Sequence, residues 1–303
     1  MTKPLCMQKK SIAIYGRAFN SSVVPYVEQL FSYLKEKDVI VYIYSDFYNF
    51  LKEQFDCPDT FLRYYDHRDL PQDILFLLSL GGDGTMLSAV SQVRDSGIPI
   101  AGINFGRLGF LASIHKTKTI QALEDIFAGR YTLQARELLE VSGNSERIFG
   151  DANFALNDIT VFRHETSSMI TINVTLNGEL LNSYWADGII IATPTGSTAY
   201  SLSCGGPIIM PGSGNFVITP VAPHNLNVRP IVISAESELE LEIESRTDKY
   251  ILSCDSKNET VSTATKLHIK RAPFRIHLIR LTSESFFGTL REKLSWGLDV
   301  RNY

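Results

Sequence analysis

Over roughly the first hundred residues, short apolar runs alternate with amphipathic stretches, and then the alternation stops. The runs "SIAIYG" (11–16), "VIVYIY" (39–44), "DILFLLSL" (73–80) and "IPIAGIN" (98–104) have strand length. Between them, "VVPYVEQLFSYLKEK" (23–37) and "MLSAVSQVRDSG" (86–97) repeat apolar residues at helical spacing, the second ending on a glycine stop. Strand and helix in turn predict a parallel, Rossmann-like α/β sheet with crossover helices. After the helical "IQALEDIFAGR" (120–130) the runs become short strands with turn residues between them: "ARELLEVSG", "RIFGDANFALNDITVFR", "MITINVTLNGELLNSYW", "DGIIIATP", "PIVISAESELELEIES", "YILSCDS" and "TKLHIKR". Within them "TLNGEL" carries the Asn-Gly signal of a tight hairpin.

The expected fold is therefore an α/β N-terminal domain followed by an all-β C-terminal domain built as a layered sandwich. We expect residues 1–120 to form the first, completed by 280–303, and residues 121–279 the second. The last segment, "FRIHLIRLTSESFFGTLREKLSWG", reads as a strand and then a helix with Phe286, Phe287, Leu290 and Leu294 on one face. That face is expected to pack the C-terminal helix back on the first domain.

Composition narrows the function classes. With 303 residues, 44% of them hydrophobic and 20% charged, the chain can bury two ordinary cores. A net charge of −4 supplies no global field for nucleic acid or an anionic membrane, so a polyanionic ligand must be held by local dipoles, a few basic residues or a metal ion. No run approaches the ~20 apolar residues of a membrane span. The first residues lack the apolar core of a signal peptide, and Cys6, Cys57, Cys204 and Cys254 lie far apart without metal-ligand spacing. The expected compartment is the reducing cytoplasm, with neither nucleic acid nor membrane as partner.

The most informative string is "GGDGT" (81–85), which follows a wholly apolar strand and opens a helix that the apolar period starts near Met86. Gly81, Gly82 and Gly84 let the backbone turn and admit a ligand close to its amides, and Thr85 adds a hydroxyl. A helix N-terminus suits phosphate oxygens. The string is neither a phosphate-binding Walker loop, which needs G-x-x-x-x-G-K-[ST], nor a Rossmann fingerprint, since G-x-G-x-x-G is absent; in their place stands Asp83. A carboxylate beside phosphates has two uses: taking a proton from an attacking hydroxyl, or binding Mg²⁺ that bridges the phosphates. Phosphoryl transfer to a hydroxyl needs both functions nearby. Arg107, in "NFGRLGF", is read either as a solvated arginine or as a partner for donor phosphates.

Two further stretches carry candidate chemistry. Asn157 and Asp158 are either a polar strand end or an amide that reads a base edge beside a carboxylate that grips ribose hydroxyls. "TPTGSTAYS" (193–201) packs hydroxyls around a turn, and Tyr200 can lay its ring on a flat base. His224 is read as structural, and "SELELEIES" as a charged strand face.

At these strings the chain resembles the NAD kinase family, within the superfamily that links it to diacylglycerol and sphingosine kinases and 6-phosphofructokinase. "GGDG" alone suggests the superfamily. "ALNDITV" and "ADGIIIATPTGSTAYSLSCGGPIIMP", with "NFGRLGFLA" and "PHNLNVRPIVI", narrow it to the family over about residues 77–233. The resemblance implies Mg²⁺-dependent phosphoryl transfer from ATP, or polyphosphate, to the 2′-hydroxyl of NAD. Asp83 is then the catalytic base, and the NAD contacts are Asp83, Gly84, Asn157, Asp158, Asp187, Thr198, Ala199, Tyr200, Ser201, Leu202 and Ser203. The donor phosphates would fall to Gly81, Gly82, Thr85 and Arg107. A homodimer or homotetramer is also implied. The rival readings are a lipid or sugar kinase of the same superfamily and a non-catalytic NAD(P) sensor. Two positions depart from the family pattern. Trp185 stands where several relatives have arginine, and Asp255, Ser256 and Lys257 replace the usual Asp-Gly-Gln.

Overall fold

Strands β1 (Ser11–Gly16), β2 (Ile40–Tyr44), β3 (Leu62–Tyr64), β4 (Leu77–Gly81), β5 (Ile100–Asn104) and β6 (Ile114–His115) alternate with helices in a computed structural model. The helices are α1 (Val24–Glu36), α2 (Ser45–Gln54), α3 (Asp83–Val93) and α4 (Thr119–Phe127). The structure describes residues 9–106, 109–144, 148–164, 168–282 and 285–295; Cys6 and Arg107 lie outside them. The strand order is β3-β2-β1-β4-β5, with β6 beside β5, and every pairing is parallel. All six residues of β1 and all five of β5 are buried, as strands covered on both faces by crossover helices require. Helix α1 starts with Pro25 in its first turn and turns Val27, Leu30, Phe31 and Leu34 inward.

Helix α3 begins at Asp83, three residues ahead of the apolar period. Gly82 is its extended N-cap, and an acid in the first turn is favoured by the positive end of the helix dipole. The sequence pattern also does not disclose α2 and β3, which follow β2 directly.

Residues 135–275 form a second compact unit; those up to 134 and from 276 onward form the first. The second unit's strands are β7 (Tyr131–Gly143), β8 (Phe154–Ala155), β9 (Asp158–Arg163), β10 (Ile170–Leu176), β11 (Glu179–Ala186) and β12 (Gly188–Ala192). They continue as β13 (Asn215–Val221), β14 (Ile231–Ser234), β15 (Leu239–Glu244), β16 (Lys249–Cys254), β17 (Lys257–Ser262) and β18 (Leu267–Leu281), with one short helix, α5 (Tyr200–Ser203). One sheet runs β14-β13-β12-β9-β16-β17. Strands β11, β10 and β15 pair antiparallel with each other and with the start of β18 to make the second. Ile159, Ile191 and Phe216 from one sheet share a core with Ile172, Leu241 and Ile269 from the other, so the layered sandwich is present. Strand β15 alternates Leu239, Leu241 and Ile243 inward with glutamates outward. Strand β12 is buried throughout, because Ile190 and Ala192 pack with Ile209 and Val217 on its other side. Asn177 and Gly178 take positive φ angles of 50° and 84° in the hairpin that joins β10 to β11.

The chain returns through β18, where Leu278 pairs in parallel with Ile100 and Ile279 joins the first unit's core. Helix α6 (Phe286–Leu294) follows, capped by the Ser285 side chain. Of the four residues expected on its packed face, only Leu290 is buried, while Phe287 is 52% and Leu294 40% exposed. Phe286 reaches the Phe110 ring at 6.3 Å between centroids. Helix α4 is also nine residues long and buries four of them, so the shallow docking of α6 is not a matter of length. Among the described residues no helix is long and apolar enough to cross a membrane.

Because Ile191 is 1% exposed in β12 and belongs to the sandwich core, Ile191→Ala should cost about 2–5 kcal/mol. Urea denaturation of the variant followed by fluorescence measures this; a loss under about 1 kcal/mol would contradict the packing described.

Candidate active site

The carboxyl ends of the parallel strands are where such sheets bind ligands, and β4 ends there on Gly81. Gly81 has φ +156°, and a methyl group on it would strike the Thr85 side chain, so the turn into α3 needs glycine. The amides of Thr85 and Met86 bond to the Gly82 carbonyl at 3.0 and 3.1 Å. The amides ahead of them are the ones a helix N-terminus turns toward a ligand.

Asp83 is half-buried, and three consecutive amides bind its carboxylate. Phe110 donates to Oδ2 at 2.8 Å, while Leu111 and Ala112 donate to Oδ1 at 3.1 and 2.9 Å. A side chain on Gly109 would overlap the same carboxylate, so glycine is required there too. The loop is fixed from behind as well. Buried Asn104 donates to the Ala112 carbonyl at 3.2 Å and accepts from the Gly106 amide at 2.7 Å. A carboxylate has about four acceptor directions. Among the described residues two amides bind Oδ1 and one binds Oδ2.

A basic residue not singled out from the sequence stands nearby. Arg17, just after β1, donates to the hydroxyl of Ser88, which in turn donates to the Gly84 carbonyl at 3.2 Å in the first turn of α3. Its signal was its place: an arginine directly past the carboxyl end of the strand adjoining β4. Of the residues expected to meet donor phosphates, Gly81, Gly82 and Thr85 are in this turn, with Thr85 buried.

In the second unit, Asn157 and Asp158 sit where β8 passes into β9. Asp255 holds this corner: its carboxylate accepts from the amides of Leu156 and Asn157 at 2.8 Å and of Asp158 at 3.2 Å. Thr193 braces the corner from β12, donating its amide to the Asn157 carbonyl at 2.9 Å and its hydroxyl to the Leu156 carbonyl at 2.5 Å. Burial first, and the Asp255 charge second, push the Asp158 carboxyl up to about 7, against the Thr160 hydroxyl that lowers it. Burial raises Asp255 as well, but its three amide donors favour the anion. Asp158 is therefore the member of the pair that takes the proton.

Tyr200 is 43% exposed at the start of α5. Burial raises its hydroxyl first, followed by Cys204 and the carboxylates of Asp187 and Asp158, so these groups share one electrostatic neighbourhood. Asp187 pairs with Arg163 at 3.0 Å. Arg163 faces Asp187 because β9 pairs antiparallel with β12, a relation the sequence alone does not reveal. The hydroxyls of the "TPTGSTAYS" stretch are mostly spent internally. Ser197 donates to the Pro194 carbonyl at 2.7 Å, Thr198 to the Thr195 carbonyl at 3.2 Å, and Ser201 pairs with Thr219 at 2.8 Å. Ser201 is wholly buried, whereas Ala199 and Leu202 are half-buried and Ser203 exposed. The two departures from the family pattern have local partners. Trp185 lies against His224 at 4.1 Å between ring centroids, and Lys257 donates to the Ala152 carbonyl at 2.6 Å.

Among the described residues no group of three or more His, Cys, Asp or Glu side chains is placed to cage a metal ion.

Two family profiles match the chain, the ATP-NAD kinase N-terminal domain over residues 12–131 and the ATP-NAD kinase C-terminal domain over residues 156–281. An NAD kinase of Flavobacterium psychrophilum is 46% identical over 292 residues, covering 96% of this chain and 99% of that protein. An NAD kinase of Bacteroides fragilis is 40% identical over 289 residues, covering 95% and 99%. Among solved structures, yeast NADH kinase complexed with NADH superposes with a TM-score of 0.85 at 22% identity, covering 98% of this chain and 91% of that one. An Archaeoglobus fulgidus NAD kinase in complex with ATP gives 0.70 at 24% identity, covering 93% and 99%. At such identities the two structures attest the fold alone.

The raised Asp158 carboxyl has a thermodynamic consequence. The folded chain keeps a proton that the unfolded chain releases near pH 4, so this group's contribution to stability is intact below that pH and is lost as pH rises through about 7. Asp158→Asn should melt with the parent protein near pH 4 and several degrees above it at pH 8. A melting difference that is flat from pH 4 to 8 would refute the assignment.

Proposed function

The chain belongs to the NAD kinase family, and from that premise we propose that it transfers the terminal phosphoryl group of ATP to the 2′-hydroxyl of the adenosine ribose of NAD. The bond formed joins the ribose 2′-oxygen to the γ-phosphorus. The bond broken joins that phosphorus to the β–γ bridging oxygen, and ADP departs with the electron pair. Asp83 takes the hydroxyl proton on Oδ2, which among the described residues binds one amide where Oδ1 binds two. The observation that carries this reading is the amide-bound Asp83 beside the glycine turn and helix N-terminus. Positioning and charge neutralisation supply most of the rate in such transfers, and a well-placed base contributes about 10²- to 10⁴-fold.

Mg²⁺ enters as part of the ATP substrate, held mainly by phosphate oxygens and water, and neutralises charge developing on the donor. The amides of Gly82, Asp83 and Gly84, ahead of the bonded Thr85 amide, take the donor phosphates, and Arg17 adds a cation close by. Asn157 and Asp158 orient the adenosine through its base edge and hydroxyls, Tyr200 offers a ring face, and Asp187 is held ready by Arg163. Inorganic polyphosphate remains within the donor chemistry such a turn accepts. The free thiols Cys57, Cys204 and Cys254 support a reducing cytoplasm as its compartment.

A homodimer or homotetramer belongs to the same reading. The edge strand β14 exposes Ile231 and Val232, and Leu226 nearby in sequence is 90% exposed, apolar surface that an assembly would cover. Light scattering on the purified protein should give the mass of two or four chains; a monomer at micromolar concentration would remove this part.

Purified protein with NAD and Mg-ATP should form NADP in an enzymatic cycling assay. Asp83→Asn should bind NAD within a few-fold of the parent while kcat falls by about 10²- to 10⁴-fold. Absence of NADP with every donor would defeat the activity, and normal turnover by the variant would defeat the role of Asp83.

A further inference from the structure

The loop that grips Asp83 is itself gripped by an arginine, and the two sets of bonds share the same peptide groups. Arg280, at the carboxyl end of β18, donates from Nη2 to the Phe110 carbonyl at 2.8 Å and from Nη1 to the Leu111 carbonyl at 3.4 Å. The Phe110 carbonyl and the Leu111 amide belong to one peptide group, and the Leu111 carbonyl and the Ala112 amide to the next. Both of these amides donate to Oδ1 of Asp83. The guanidinium is thus linked twice to one carboxylate oxygen, each time through a single peptide. Its third contact, from Nε to the Gln134 side chain at 3.2 Å, orients the fork.

We propose that Arg280 is a positioning residue for Asp83, which fixes Oδ1 through the 110–111 and 111–112 peptides and thereby leaves Oδ2 as the oxygen facing the reacting hydroxyl. A cation on a carbonyl polarises the peptide and strengthens the bond its amide donates, while a bidentate fork fixes the plane of both peptides. Strand register explains the placement. Leu278 pairs with Ile100 and Ile279 turns into the core, so the next residue emerges at the strand end where the loop lies. Through these bonds its influence on Asp83 runs along the backbone. The inference rests on the proposed role of Asp83 as the base.

Steady-state kinetics with NAD and Mg-ATP test it. Arg280→Met should lower kcat about 10- to 100-fold, leave KM for NAD within about threefold and shift the melting temperature little. Arg280→Lys, which keeps the charge without the fork, should recover part of the loss. The double variant Asp83→Asn/Arg280→Met should be no slower than Asp83→Asn alone, because without the base there is nothing left to position. Full kcat in Arg280→Met would overturn the proposal, as would losses that multiply in the double variant. Should Arg280→Met fail to fold, Arg280→Lys decides: full kcat in it overturns the proposal, and a lowered kcat at constant KM supports it. If Asp83→Asn alone turns over normally, the failure lies with the base assignment and not with Arg280.

Discussion

A carboxylate bound by three successive main-chain amides sets the geometry of both units. Asp83 takes the amides of residues 110–112, and Asp255 takes those of residues 156–158. Three neighbouring amides converge on one acceptor only if the backbone curls around it, so each carboxylate shapes the loop it binds as much as the loop orients it. In the first unit the curl requires Gly109 and is braced by Asn104 and Arg280. In the second it needs Asp255 itself at φ +51° and Thr193 on the adjoining strand.

The two carboxylates serve different ends. Desolvation raises the Asp255 carboxyl, and its three amide donors act against that rise. Its remaining field falls on Asp158, whose proton it helps retain to near neutrality. Among the described residues Asp83 takes two amides on Oδ1 and one on Oδ2. Orientation is the contribution this arrangement favours, consistent with a loose phosphoryl-transfer transition state. The net charge of −4 is no obstacle, because oriented peptide dipoles attract phosphate without any excess of cations.

The positions that break the family pattern are locally compensated. Trp185 has no charge to give, yet Asp187 has its cation in Arg163 from the neighbouring strand. Lys257 is turned to the Ala152 carbonyl and lies over the Phe154 ring at 5.2 Å, a packing role beside the Asp255 corner.

Periodicity disclosed most strands of both units, though not β3, β6, β13 or β17, with the hairpin at Asn177 and Gly178 and helices α1, α3, α4 and α6, because each rests on local patterns of burial and on turn residues that adopt positive φ. It did not disclose α2, whose Phe47, Tyr48 and Leu51 follow β2 with no breaker between, or how shallowly α6 docks. The string "GGDGT" identified Asp83 as chemically exceptional, since an acid among glycines at a strand end has few structural uses. Its partners were hidden: the amides of Phe110, Leu111 and Ala112 carry no side-chain signature, and Arg280 and Asp255 lie far away along the chain. The family resemblance implied Ser201 as an NAD contact, and folding pairs its hydroxyl with Thr219. Residue types and their spacing thus determined the elements and the class of chemistry. How many amides each oxygen takes and which hydroxyls are already used were decided only when distant segments met, because hydrogen bonds depend on direction and distance and not on order along the chain.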